Sequence, residues 1–383
     1  MSDVKREICD SLDASWQRAK SERLRFREEL DSAKHLCLFG AGEVGQAVAS
    51  DLSDAGVAIR SFCDNNRTLW GTRINDTWPC LSVDELAAMK DEAFVLVTTG
   101  YYKEVRAQLE AMGVATYRVI PHRFMVRRDR YWDTVDLPFV KTRLCSLIDI
   151  LEDEISRRVA SVIARSWFRP VGVPDEFALV QTGDQYFPPV IIRLSQDEVL
   201  VDAGAFDGDT IADFLRRTGG LFDRVIAYEL DVNCFGKLRS YQEGLPEGLR
   251  RKVQIHNLGL YDEDRSIRYL ANTASSTIRD TTGKTGRVVR LSDHIKGARV
   301  SLIKMDIEGA EPKALSGAQE LIREQRPRLA VCVYHEPSHL WEIPLAIKAM
   351  VPHYRCFLRH HSSQLYETVC YATLEEPCTA DAT

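Results

Sequence analysis

Twice along this chain an apolar run breaks into a glycine-rich turn and then a helical pattern. The first is His35-Leu36-Cys37-Leu38-Phe39, followed by Gly40-Ala41-Gly42-Glu43-Val44-Gly45. The second is Val199-Leu200-Val201-Asp202, followed by Ala203-Gly204-Ala205-Phe206-Asp207-Gly208. Strand, tight turn and helix form the opening of a βαβ crossover. Further steps follow both openings: apolar runs at 58–63, 94–98 and 116–120 after the first, and at 225–230, 253–258, 301–306, 329–334, 354–359 and 367–372 after the second, which starts at 198–203. Strands that alternate with helices require parallel sheets covered on both faces. The fold class is therefore α/β, with two Rossmann-like domains at about 34–125 and 185–375. The link 360–366 is polar and too short for a crossover, so the last two strands pair antiparallel. The polar, turn-rich stretch 261–297 predicts an added hairpin or lid.

The remaining chain fits around these domains. Residues 1–33 are charged and helix-prone, with Ile8, Leu12, Trp16, Leu24 and Leu30 spaced for one or two amphipathic helices. Residues 126–184 form a helical connector, in which Phe139 to Phe168 lacks Pro and Gly and predicts one long helix, broken by Arg169-Pro170-Val171-Gly172. Residues 376–383 are a tail. The N-terminal or the connector helix could serve homo-oligomer formation. A net charge of -6, from 56 acidic and 50 basic residues, argues against a nucleic-acid partner, because phosphate neutralisation needs a basic surface. No apolar run is long enough to span a bilayer, and Met1 to Asp13 has no apolar core of a secretory signal. The ten cysteines are scattered without a C-x-x-C pair, which fits reduced thiols in the cytoplasm rather than disulfides or a zinc ribbon.

The second domain carries the chemistry. Its first strand delivers Asp202 to a turn where Gly204 lets a ligand approach the backbone. A carboxylate there suits a cationic ligand, an amino-acid ammonium or a sulfonium, and not a pyrophosphate. Glu229, 27 residues on, ends the next strand in Tyr228-Glu229-Leu230-Asp231 and could accept both hydroxyl protons of a ribose diol. Asp207, Asp231 and Asn257 lie nearby in the pattern. The competing reading is that Asp202 and Glu229 only cap helices. Ile303-Lys304-Met305-Asp306-Ile307-Glu308-Gly309-Ala310-Glu311 ends a third strand in alternating carboxylates; the following strands end in His335 and in His360-His361. In open α/β sheets these ends line the ligand crevice.

The runs VDAGAFDGDT, YELD, IKMDIEGAE, VYHEP with LWEIPL, and LRHH with ETVCYA, taken in order, resemble the FkbM-type family of S-adenosylmethionine-dependent methyltransferases over about 185–373. The resemblance implies a seven-stranded class I methyltransferase sheet with an antiparallel last strand. It implies transfer of a methyl group from S-adenosylmethionine, usually to a hydroxyl of a sugar or polyketide. By position, Asp202, Gly204 and Glu229 would hold the cofactor, while Asp306, Glu308 and His335 would face the acceptor. Glu311, His360, His361 and Ser276 complete the expected acceptor side. His335, whose reference pKa lies near neutrality, is the expected base, with Asp306 second. Asp306, Glu308 and His335 could also hold Mg²⁺, or simply bond a polyol. The expected acceptor is a sugar, nucleotide-sugar or glycan hydroxyl.

Gly40, Gly42 and Gly45, with Asp64 19 residues further on, fit a dinucleotide fingerprint. The domain is too small to supply a catalytic half of its own. A nucleotide or nucleotide-sugar site, a purely structural role and a nicotinamide site all remain open there. Two rivals to a methyltransferase therefore stand: a non-catalytic nucleotide-sugar-binding scaffold, and an NAD-dependent oxidoreductase built on the N-terminal glycines.

Overall fold

The computed structural model describes residues 3–120, 136–166, 175–271, 276–278 and 283–376. It divides into two compact units. One comprises 1–142, 161–179 and 363–365; the other comprises 143–160, 180–362 and 366–383.

The first unit opens with one helix, Asp3–Ser32, and continues into a six-stranded sheet. Its strands are β1 His35–Phe39, β2 Ser61–Cys63, β3 Arg73–Ile74, β4 Trp78–Leu81, β5 Ala93–Val97 and β6 Tyr117–Val119, in the order β3-β4-β2-β1-β5-β6. All neighbours pair parallel except β3 with β4. Apolar side chains on both faces explain why β1 and β5 read as unbroken hydrophobic runs: Leu36, Leu38 and Leu96 pack on one side, and Cys37, Phe39 and Val95 on the other. The β3–β4 pair was not expected. It is two short strands around a turn in which Asn75 and Asp76 have positive φ, with Pro79 of β4 opposite Arg73, too short for an alternation to register.

The second unit carries a seven-stranded sheet. Its strands are β7 Val199–Ala203, β8 Arg224–Tyr228, β9 Val253–His256, β14 Leu302–Met305, β15 Arg328–Cys332, β16 Arg355–His360 and β17 Thr368–Thr373. The order is β16-β17-β15-β14-β7-β8-β9. β17 runs antiparallel to both neighbours, as the short link requires. The polar insertion forms a separate four-stranded sheet from β10 Gly259–Leu260, β11 Arg265–Ala271, β12 Ser276–Ile278 and β13 Lys284–Val289.

The expected single connector helix is two helices, Leu137–Ile150 and Glu154–Ser166. The chain stops at Leu151 because that residue makes a bridge to Cys356 at the sheet edge. Asp153 then starts the second helix, its carboxylate accepting from the Ser156 amide at 2.8 Å. The expected break at 169–172 lies outside the described residues, as does the tail beyond 376.

Candidate active site

The carboxyl ends of β7, β8, β14 and β15 open on one cleft. Gly204, Phe206, Glu229, Asp306, Glu308 and Tyr334 line it, together with Tyr186, Lys304 and Glu367. This is the edge at which open α/β sheets bind ligands.

On the β7–β8 side the backbone is brought close by glycine. Gly204 has φ +77°, and a Cβ there would stand 1.8 Å from the Asp306 carbonyl oxygen, so no other residue fits. Glu229 is 7% exposed. Its Oε2 accepts from the Phe206 amide at 2.9 Å and its Oε1 from the Asp231 amide at 2.7 Å. Burial pushes this carboxyl up, against those amide bonds.

The other residues expected at the cofactor do different work. Asp202 is wholly buried and paired with Lys304, Nζ to Oδ1 3.0 Å; it lies behind the cleft wall. Asp231 caps the helix Val232–Glu243, accepting from the Asn233 and Cys234 amides, and pairs with Lys284 at 3.3 Å. The helix cap here is thus Asp231, not Asp202 or Glu229, for which capping was the competing reading. Asn257 donates to the carbonyls of Glu229 at 2.8 Å and Leu230 at 3.1 Å, fixing the loop that carries Glu229. Asp207 sits in the turn before the helix Asp209–Thr218 and is not among the cleft-lining residues.

On the β14–β15 side Asp306 is the centre. Tyr186 donates to its Oδ2 at 2.7 Å and Tyr334 to its Oδ1 at 3.0 Å. Burial pushes the Asp306 carboxyl up, but His335, Lys304 and the two phenols outweigh it and hold it below the usual carboxylate range. Burial, with Asp306 adding, raises both tyrosines, which keeps them protonated donors.

His335 does not line the cleft. Its Nδ1 lies 2.9 Å from Glu311, and its Nε2 lies 3.4 Å from both Asp306 and Glu308. Burial disfavours the imidazolium, yet these carboxylates, Glu311 foremost, push its pKa up to about 10. Set back from the cleft lining and pushed toward its charged form by these acids, His335 is not brought to the cleft where a base was expected. Glu311 is fully buried and also accepts from the Ile307 amide at 2.8 Å and the Gly309 amide at 3.1 Å. The loop between β14 and its helix is therefore wrapped around this acid and the imidazole. Glu308 adopts φ +57° and faces the cleft; burial pushes its carboxyl up to about 7, with the neighbouring acids adding and His335 opposing.

His360 and His361 are not brought to the cleft. His360 is buried with Nδ1 2.8 Å from Thr368 Oγ1, and His361 is held by the Thr182 carbonyl at 3.0 Å and Tyr371 Oη at 2.9 Å. Both strengthen the edge of the sheet. Ser276 lies in β12, and its side chain is outside the described part of the structure. Asp306, Glu311 and His335 place donor atoms within 4.8 Å of one another. Glu311 thus stands in this group where Glu308 was expected.

Sequence reading missed Tyr186, Lys304, Tyr334 and Glu367. Tyr186 comes from a segment flanking the motifs, whereas Glu367 opens the ETVCYA run and Tyr334 lies within VYHEP. Lys304 was visible as a lone charge inside an apolar strand, a pattern that demands a buried partner.

In the first unit Gly40 has φ +112°, and a Cβ on Gly45 would meet the Gly40 carbonyl oxygen at 1.9 Å. Asp64 accepts from the Ala41 amide at 2.7 Å and the Asn66 amide at 2.8 Å, so its carboxylate closes the glycine turn. Gly42 has open space where a side chain would stand.

The sheet order and the cleft at its carboxyl edge are those expected of a seven-stranded class I methyltransferase sheet. Residues 202–365 match the methyltransferase FkbM domain, so this stretch of the chain is a methyltransferase domain of the FkbM family. Residues 32–120 match a second family, the C2185-like N-terminal domain. Among solved structures, the chain is similar to a methyltransferase FkbM from Methylobacillus flagellatus KT, at 20% identity and TM-score 0.76, over 96% of this chain and 100% of that one. That likeness is one of fold. An rRNA methylase from Streptococcus thermophilus is also similar, at 15% identity and TM-score 0.29, over 48% of this chain and 91% of that one. A comparison with curated proteins gives no significant match. Among the described residues, no helix is long and apolar enough to cross a membrane.

Proposed function

We propose that the C-terminal unit transfers a methyl group from S-adenosylmethionine to a hydroxyl of a sugar, nucleotide-sugar or glycan-type acceptor. The observation that carries this reading is the meeting of the Gly204 turn with Asp306 in one cleft. The turn is a cradle that a Cβ would fill, and buried Glu229 stands beside it, which fits a ribose-bearing cofactor. Bound S-adenosylmethionine supplies an already activated methyl group. The chain's own contribution is placement and removal of the hydroxyl proton. Asp306, ionised and aimed by Tyr186 and Tyr334, is the group placed to take that proton. Glu308 and Glu367 offer acceptors to neighbouring hydroxyls. The described cysteines are free and, Cys145 apart, buried, which supports a reducing, cytoplasmic setting. Engagement of Asp64 by Ala41 and Asn66 favours a docking or structural role for the N-terminal unit over hydride transfer.

The test is to incubate the full chain with methyl-labelled S-adenosylmethionine and fractionated sugars, nucleotide sugars and glycans. Label on a sugar hydroxyl, lost with Asp306→Asn, is the expected result. Label confined to protein, nucleic acid or nitrogen-bearing acceptors would overturn it.

A further inference from the structure

At the wall of the cleft, with Lys304 in the lining and Asp202 behind it, is a buried ion pair that methyl transfer does not of itself require. Lys304 on β14 stands in register with Asp202 on β7, and their side chains are 2% and 0% exposed. The same ammonium donates to the Gly204 carbonyl at 2.7 Å and the Ala203 carbonyl at 3.4 Å, and it lies 5.1 Å from the centre of the Tyr186 ring. Lys304 therefore touches both halves of the site: the glycine turn, and the tyrosine that donates to Asp306. Two buried charges carry a desolvation cost that an apolar pair of similar volume avoids, so packing alone does not account for them.

We propose that Lys304 is a positioning residue, whose buried ammonium pins the Ala203-Gly204 turn against the exit of β14 so that the donor-binding turn and Asp306 keep one geometry. The proposal rests on the reading of Gly204 and Asp306 given above. Charge supports it. The groups acting on Asp306 are the cations His335 and Lys304, the donors Tyr186 and Tyr334, and Cys332, Asp202, Glu308 and Glu367. Burial opposes the charge on Lys304, but Asp202 and Asp306 push its pKa up, so it keeps its proton. Removing it leaves His335 as the cation beside Asp306, and the carboxyl then binds its proton more tightly.

The test uses the full chain with Lys304→Met and Asp202→Asn. Binding of S-adenosylhomocysteine is followed by calorimetry, methyl transfer against pH, and unfolding by denaturant. In Lys304→Met with native circular dichroism, affinity for S-adenosylhomocysteine falls about ten-fold or more, and the acid limb of the rate profile moves up by about 1 pH unit. Asp202→Asn, nearly isosteric, leaves the ammonium to act on Asp306 and moves that limb down. A Lys304→Met protein that is only less stable, with native affinity and native limb, overturns the proposal. If Lys304→Met does not fold, Asp202→Asn decides: a limb that stays or moves up overturns it. If Asp306→Asn keeps full transfer, the reading of Asp306 as proton acceptor fails, and the affinity of Lys304→Met still decides whether Lys304 pins the turn.

Discussion

Glu229 is the group proposed to grip the cofactor, and its buried carboxylate is held at the turn by two backbone amides. Glu229→Ala should weaken S-adenosylmethionine binding by about 1.5–3 kcal/mol, the range for charge-assisted hydrogen bonds; unchanged calorimetric affinity in a folded variant would remove Glu229 from the site. Gly204→Ala should cost at least about 2 kcal/mol of stability, since it combines a positive φ with a Cβ overlapping a backbone oxygen. Denaturant midpoints read this directly. His335 gives a prediction in pH. Its pKa is raised from 6.5 to about 10, so the folded state binds its proton more tightly. The stability it contributes is present in full below about pH 6.5 and is lost as pH rises through 10. Melting temperature should fall across that window, and His335→Gln should flatten the fall. Glu308 acts in the same direction at lower pH, from 4.5 to about 7. A melting curve that is level from pH 7 to 10 in the native chain would contradict the imidazolium assignment.

At the scale of elements, the break between the two connector helices shows how a short-range pattern yields to a sheet edge. Nothing in Ile150-Leu151-Glu152-Asp153 forbids a helix. Cys356 takes Leu151 as a bridge partner, and Asp153 becomes both a helix cap and the partner of Arg359, Oδ2 to Nη2 2.6 Å. Arg359 is 8% exposed in its side chain. Asp153→Ala should therefore destabilise the second unit by about 2 kcal/mol or more, from a lost cap and an uncompensated guanidinium; Asp153→Asn should recover the cap and part of the loss. Equal stability of the alanine variant and the native chain would show that the helix start is set elsewhere. The antiparallel pairing of β16 with β17, by contrast, follows from a connection length legible in the residues themselves, because a seven-residue link cannot cross over a sheet.

At the scale of the whole molecule, the two units have different expected fates. The second should bind S-adenosylmethionine. The first should show no absorbance change at 340 nm with nicotinamide dinucleotide and any sugar, because Asp64 is committed to its own turn; a hydride-transfer signal would overturn that assignment. What the sequence by itself determined is whatever depends on spacing along one strand and its turn. Alternation of strands and helices, the glycine turn at Gly204, the carboxylate at Glu229 and the strand-end Asp306 are local, and so are the insertion at 261–297 and the antiparallel close. What only the tertiary structure decided is which charges face one another. His335 has a near-neutral reference pKa in any peptide, and is pushed toward its charged form only when Glu311, Asp306 and Glu308 converge on it. Asp202 heads a ligand turn in the sequence, and turns away to Lys304 because β7 and β14 are neighbours in the sheet. Tyr186 and Glu367, far apart along the chain, reach the cleft only through folding. Coulomb energies depend on distances between residues remote in sequence and on the burial around them, and neither is written in the order of residues along one strand.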